Sequence, residues 1–204
     1  GEPEHAHEIE QVAADEIADR QGVTAFYRRH QRDLPFRRTR DPYRITVAEV
    51  MSQQTQLDRI VPKYEAWIAR WPDWRALAEA SPREILNAWS GLGYNRRAVY
   101  LRQTARIIME RYNGVMPDNP DELVRLPGIG PYTARAVVIF AFNKPLVTVD
   151  TNVRRVLIHE LNLPLGISTE DLEAIAYLAM PKKAARDWHY ALMDYGSMKL
   201  PSRA

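Results

Sequence analysis

Three times along this chain a helix-capping residue stands directly before a proline: Asp41-Pro42, Ser81-Pro82 and Asn119-Pro120. A side chain that accepts a first-turn amide, followed by a residue with a fixed φ and no N–H of its own, is the local chemistry of a helix start. Ser81-Pro82-Arg83-Glu84 adds a glutamate three residues after the cap and so forms a capping box, and Ser168-Thr169-Glu170-Asp171 reads as a further start. Helices are predicted over 8–20, from about Val23 to Gln31, from Asp41-Pro42 to about Thr55, over 58–71, to Ser90 after the capping box, over 95–112 and over 134–142. Leu34 to Arg38 reads as a loop. The only run with strand character, Leu146 to Val149, is short and ends at a cap, so it reads as extended loop. The expected fold class is all-α.

Composition narrows the chemistry. The 204 residues contain no cysteine, which excludes disulfides, zinc-thiolate sites, Cys-ligated iron–sulfur clusters and a cysteine nucleophile in this chain. The five histidines show no metal-ligand spacing, so no side-chain metal site is expected. No stretch has the length and apolarity of a membrane helix, and the polar N-terminus is neither a signal nor a transit peptide, so an intracellular protein of the cytoplasm or nucleoid is expected. Net charge is only +2, but 23 of the 28 cations are arginine, whose planar fork suits phosphate. A GC-rich genome or a heat-adapted host accounts for that bias equally well.

The most specific segment is Leu126-Pro127-Gly128-Ile129-Gly130-Pro131-Tyr132-Thr133-Ala134, between a short helix and a strongly apolar one. Two glycines two apart allow a tight turn and close approach of another backbone. The second helix starts at once, with its first amides facing out, an arrangement that binds a phosphate oxygen without reading sequence. The same residues also suit an ordinary helix–turn–helix corner. Asp150 precedes the helix that begins Thr151-Asn152-Val153. A cap carboxylate at the positive helix end is expected to stay ionised, and Asp150 taken alone is only a cap. Glu49 shares a helix face with Gln53, and burial would have to raise its pKa for it to carry a proton near neutrality.

Together these segments resemble the helix-hairpin-helix (HhH-GPD) DNA glycosylase superfamily, in its endonuclease III and adenine glycosylase branch. The resemblance rests on the hairpin followed by Asp150, on Ala48-Glu-Val-Met-Ser-Gln-Gln-Thr-Gln56, and on Trp89-Ser-Gly-Leu-Gly-Tyr-Asn-Arg-Arg-Ala98, and it covers about residues 34 to 197. It implies two helical lobes with a cleft between them. One is a continuous lobe over 43–150, with the helix-hairpin-helix at about 119–142; the other is 1–42 plus 151–204. It also implies a partner, double-stranded DNA with a mismatched or damaged base, lying across the mouth with the hairpin on a backbone phosphate. The expected protein is a monomer.

The resemblance further implies roles. Asp150 is the carboxylate that stabilises the sugar cation, Glu49 the acid that protonates the base, and Tyr132 packs against the flipped nucleoside. Gln53 and Gln54 enter the duplex near the vacated space, and Tyr94 stacks or wedges. Leu126, Gly128, Ile129, Gly130 and Thr133 form the hairpin's DNA contact. Arg96, Arg97, Arg154 and Arg155 are candidate phosphate contacts, each of them, taken singly, an ordinary surface charge. The hairpin carbonyls are expected to hold K+ or Na+, with no other cofactor. In bifunctional relatives the position of Tyr132 is a lysine that forms a Schiff base; tyrosine cannot, so no lyase activity is expected. Most relatives also carry four cysteines of an iron–sulfur cluster after the segment resembling Met193 to Met198, so this is either a cluster-free branch or a longer protein. The implied function is a monofunctional mismatch glycosylase that removes adenine opposite guanine or 8-oxoguanine. Thymine or uracil opposite guanine is the alternative, and a catalytically silent DNA-binding module is the rival from another class.

Overall fold

The computed structural model describes residues 31–199. The helices expected over 8–20 and from about Val23 lie outside the described residues. Among the described residues every regular element is helical: a 3-10 turn at Pro35–Arg37, then α1 (Pro42–Ser52), α2 (Leu57–Arg70), α3 (Trp74–Glu79), α4 (Pro82–Trp89), α5 (Arg96–Arg111), α6 (Pro120–Leu123), α7 (Pro131–Phe142), α8 (Thr151–Glu160), α9 (Thr169–Ala179) and α10 (Ala185–Lys199). This is the all-α class expected from the sequence.

The caps work as the sequence implies. Asp41 accepts from the Tyr43 amide, Ser81 and Glu84 close a reciprocal box, Asn119 accepts from the Asp121 amide and Ser168 from that of Asp171. Each is worth about 1 kcal/mol. Two helices are not anticipated. α3 is six residues long, too short to display a period, and its one signal is Asp73, which accepts from the Ala76 amide at 2.8 Å. α10 has no cap–proline start, and its signal is the helical spacing of the buried Trp188, Ala191 and Leu192.

The first compact unit is Asp33–Phe142. Its central helix is α7, in which Ala136 to Ala141 are apolar and all buried, the pattern of a helix segment surrounded by others. α1 packs against α7. The other part of this core is aromatic. Trp67, Trp71, Trp74 and Trp89 all lie in it, and none is more than 4% exposed. Trp67 meets Trp71 and Trp89 edge-on, at 4.8 and 5.7 Å between ring centroids, and Trp74 meets Tyr43 of α1 at 4.8 Å. The Tyr43 hydroxyl donates to the Trp71 carbonyl. α1 is therefore gripped by α7 and by the tryptophans, which fixes the helix that carries Glu49.

The second compact unit takes the chain from Asn143 onward, together with Arg32, whose amide donates to Asp194 Oδ2 at 3.2 Å. Here α8 packs on α10. Gly196 permits the approach: a Cβ on it would stand 3.0 Å from Val156 Cγ2 and 3.3 Å from the Asn152 carbonyl. Residues 143–150, placed by the sequence in the continuous lobe 43–150, group instead with α8 to α10. The reason is their bonding. Asn143 Nδ2 donates to the Lys183 carbonyl at 3.0 Å, its Oδ1 accepts from the Arg186 amide at 2.9 Å, and the Thr148 amide donates to His189 Nε2 at 3.2 Å.

His189 is fully buried, and its Nδ1 lies 2.6 Å from the Ala185 carbonyl. That nitrogen must carry the hydrogen, which leaves Nε2 as the acceptor for Thr148; only the neutral ring serves both partners. Burial pushes the imidazole down from 6.5 to about 4. The unfolded chain therefore takes up the proton first, so the ring's contribution is intact above about pH 6.5 and is lost as pH falls toward 4. Urea titrations at stepped pH are expected to show a loss on the order of 3 kcal/mol from this group across that window. His189→Phe, which cannot titrate, should flatten that part of the profile; an unchanged slope would assign the loss to other groups.

Candidate active site

The segment 126–130 turns between α6 and α7. Leu126 and Ile129 anchor it with side chains only 5% and 4% exposed, and the Ile129 amide donates to the Leu126 carbonyl at 3.2 Å. From α5, Thr104 Oγ1 donates to the Pro127 carbonyl at 3.0 Å. The two glycines are there for different reasons. Gly128 has φ +74°, and a Cβ on it would lie 2.8 Å from Tyr100 Cβ, so a side chain would both strain the turn and strike α5. Gly130 lies outside the left-handed region, with nothing within 4 Å of its would-be Cβ. Among the described residues nothing requires glycine at 130, whereas an outside surface approaching the backbone would.

Gly130, Pro131 and Tyr132 are exposed at the start of α7. A helix start carries amides without helical acceptors and a partial positive charge, so this corner suits an anion. Of the residues assigned here from the sequence, Leu126 and Ile129 can offer only backbone, because their side chains are in the core. Thr133 is 3% exposed, and its hydroxyl accepts from Gln53 Nε2 at 3.0 Å.

Gln53 and Gln54 diverge at the end of α1. Gln53 reaches inward to Thr133, while Gln54 is exposed with φ +60°. The resemblance implies that both enter the duplex; here Gln54 is the exposed one, and Gln53 is bonded to Thr133. Glu49 is half-buried one turn earlier. In the loop before α5, Gly93 and Tyr94 have φ +72° and +48°, and Tyr94 is 70% exposed. Trp89 Nε1 holds this loop by donating to the Gly93 carbonyl at 2.9 Å. The end of α1, the loop and the start of α5 enclose an open pocket of about 480 Å³, lined by Gln53, Gln54, Tyr94, Arg96 and Tyr100 among others. Arg96 is exposed, as a phosphate contact should be. Arg97 is not available in that way: its guanidinium donates to the carbonyls of Val50, Gln53, Leu92 and Gly93.

In the second unit Asp150 opens α8, and its Oδ1 accepts from the Val153 amide at 2.7 Å, the cap implied by the sequence. Burial outweighs this bond and the one from the Asn152 amide, and pushes the carboxyl above the ordinary aspartate range. The sequence gives the cap and not the burial, so it suggests the opposite direction. A carboxylate so placed is a less stable anion at rest and gains more from a positive charge that develops beside it. Arg154 Nη2 donates to the Leu165 and Ile167 carbonyls at 3.3 and 2.8 Å, so part of its fork ties down the loop before α9. Arg155 Nη1 lies 3.5 Å from Asn152 Oδ1. Among the described residues no cluster of His, Asp and Glu could hold a metal, and no helix is long and apolar enough to cross a membrane.

Residues 47–177 match the model of the HhH-GPD superfamily of base excision DNA repair proteins. The chain belongs to that superfamily. The matched stretch of this HhH-GPD protein includes Glu49, the Tyr94 loop, the hairpin and Asp150. The chain is 43% identical over 185 residues to an adenine DNA glycosylase of Mycolicibacterium smegmatis, which covers 89% of this chain and 63% of that protein. It is 39% identical over 197 residues to the human adenine DNA glycosylase, covering 90% of this chain and 36% of that one. The HhH-GPD chain thus spans less than two thirds of the length of these relatives. The structure of a thermostable thymine-DNA glycosylase superposes with a TM-score of 0.79 at 27% identity, over 95% of this chain and 88% of that one. Endonuclease III in a trapped covalent DNA intermediate shares the fold, with a TM-score of 0.78 at 23% identity over 95% of this chain and 87% of that one.

Proposed function

We propose that this HhH-GPD chain is a monofunctional DNA N-glycosylase that removes adenine opposite guanine or 8-oxoguanine in duplex DNA. The reading is carried by identity to adenine DNA glycosylases, 43% and 39%, along 89% and 90% of the chain, against 27% to the thymine-DNA glycosylase.

In this reading a backbone phosphate sits at the start of α7, where Gly130 leaves open space. A monovalent cation in the 126–131 turn would use the second lone pairs of the Leu126, Pro127 and Gly130 carbonyls, since each already accepts one bond from within the chain. Arg96 contacts phosphate. The exposed Gln54 and Tyr94 enter the stack as adenine leaves it, and extrusion exposes the glycosidic bond to reaction.

Glu49 then gives its proton to a ring nitrogen of adenine. The C1′–N9 bond breaks, its electron pair leaves with the base, and the sugar becomes a cation. The Asp150 carboxylate stabilises that cation, and water adds to C1′ and loses a proton. Tyr132 offers a ring to the extruded nucleoside and no amine to the sugar, so the product is an intact abasic site.

A second reading, release of thymine or uracil opposite guanine, is favoured by the superposition on the thymine-DNA glycosylase. Single-turnover release from duplexes holding A:G, A:8-oxoguanine, T:G and U:G separates the two. The proposal expects release from the A:G and A:8-oxoguanine duplexes only, and release confined to T:G and U:G would replace it with the second reading.

A further inference from the structure

Arg97 follows the exposed Arg96 in the first turn of α5, yet it is spent inside the protein. Nη1 donates to the Val50 and Gln53 carbonyls at 2.7 and 2.8 Å, and Nη2 to the Leu92 and Gly93 carbonyls at 3.2 and 3.3 Å. A guanidinium has four Nη hydrogens, so all are engaged, and Nε is buried without a partner. The group also lies over the Trp89 and Tyr94 rings, at 5.1 and 5.8 Å. With the four Nη hydrogens spent and Nε buried, no exposed donor remains for a phosphate.

What Arg97 joins is specific. Val50 and Gln53 supply carbonyls at the C-terminal end of α1, where a cation is favourable. Leu92 and Gly93 belong to the loop that presents Tyr94. Gln53, held by its carbonyl, passes the connection on to Thr133 of α7 through its side chain. We propose that Arg97 is a positioning residue that locks the end of α1 and the 91–94 loop into one rigid edge, fixing the separation of Gln54 and Tyr94. A rigid edge avoids the entropy cost of ordering two loops when duplex is met; that last step rests on the proposed function.

Hydrogen exchange on the full chain tests the lock without DNA. Arg97→Met keeps the stem and loses every donor, and Arg97→Lys keeps the charge at a single point that cannot span four carbonyls. Amides over 52–56 and 91–95 are expected to exchange at least about tenfold faster in both variants, with α2 and α9 unchanged. Unchanged exchange in either segment, or equal loosening everywhere, overturns the proposal; should Arg97→Met fail to fold, Arg97→Lys alone decides. On mismatched duplex, both variants are expected to slow single-turnover release about tenfold or more while the salt dependence of binding stays that of the unsubstituted protein. A salt slope lower by about one would make Arg97 a phosphate contact and overturn the assignment. Unsubstituted protein that releases no base would defeat the proposed function and leave the exchange result to judge the lock.

Discussion

Asp150→Asn is expected to lower single-turnover base release by about 10²–10³-fold or more, with duplex affinity and thermal stability close to those of the unsubstituted protein. Asparagine matches aspartate in shape and in rank as a cap, so the bond from the Val153 amide and the start of α8 survive. What disappears is the negative charge, in a place where burial weakens screening and makes that charge worth more to a developing cation. The raised carboxyl also sets a pH dependence. Asp150 acts in its ionised form, so its contribution to the rate should be intact above the group's pKa and be lost as pH drops through it, beginning at higher pH than an ordinary aspartate would give. Release by Asp150→Asn within tenfold of the unsubstituted rate would remove Asp150 from the chemistry. No release by any form, with duplex still bound, would favour the silent DNA-binding module.

Tyr132→Lys is expected to turn a protein that gives almost no covalent product into one that borohydride traps on DNA. As it stands, the protein should leave an abasic site whose strand breaks only after heat and alkali, because no amine is placed at the sugar. Position 132 is exposed in the first turn of α7, so a lysine there should fold. Beside a helix N-terminus its ammonium form is disfavoured, which raises the fraction of neutral amine able to attack C1′. Trapping is read on a denaturing gel as a shifted, reduction-dependent band. Efficient trapping by the unsubstituted protein would contradict the monofunctional reading and direct attention to Lys144 or another of the five lysines.

The helices were legible wherever a cap, a proline and several turns of periodicity coincided, as at α1, α4 and α6. α3 escaped because one cap and six residues carry no period. The hairpin was legible because glycines are read by what they forbid, although only the structure separates Gly128, required by Tyr100, from Gly130, required by nothing among the described residues. Which of two neighbouring candidate residues faces outward is harder to read from the string. Adjacent polar residues such as Gln53 and Gln54, or Arg96 and Arg97, look alike in a string. Their fates part at a residue with positive φ and at the first turn of α5, because the Val50 and Gln53 carbonyls and the Thr133 hydroxyl come from segments distant in sequence. For the same reason the cap at Asp150 can be read from the string, and the burial that opposes it cannot.

The released base decides between adenine and thymine chemistry. Single-turnover release from two duplexes identical except for the residue opposite guanine, adenine in one and thymine in the other, with the freed base identified by chromatography, tests the adenine reading most directly. Free adenine released at least about tenfold faster than thymine, and none from the matched A:T control, is the expected result; a discrimination of that size is about 1.4 kcal/mol in the transition state. Thymine released faster than adenine, or hypoxanthine or an alkylated base as the only product across a wider panel, would contradict it.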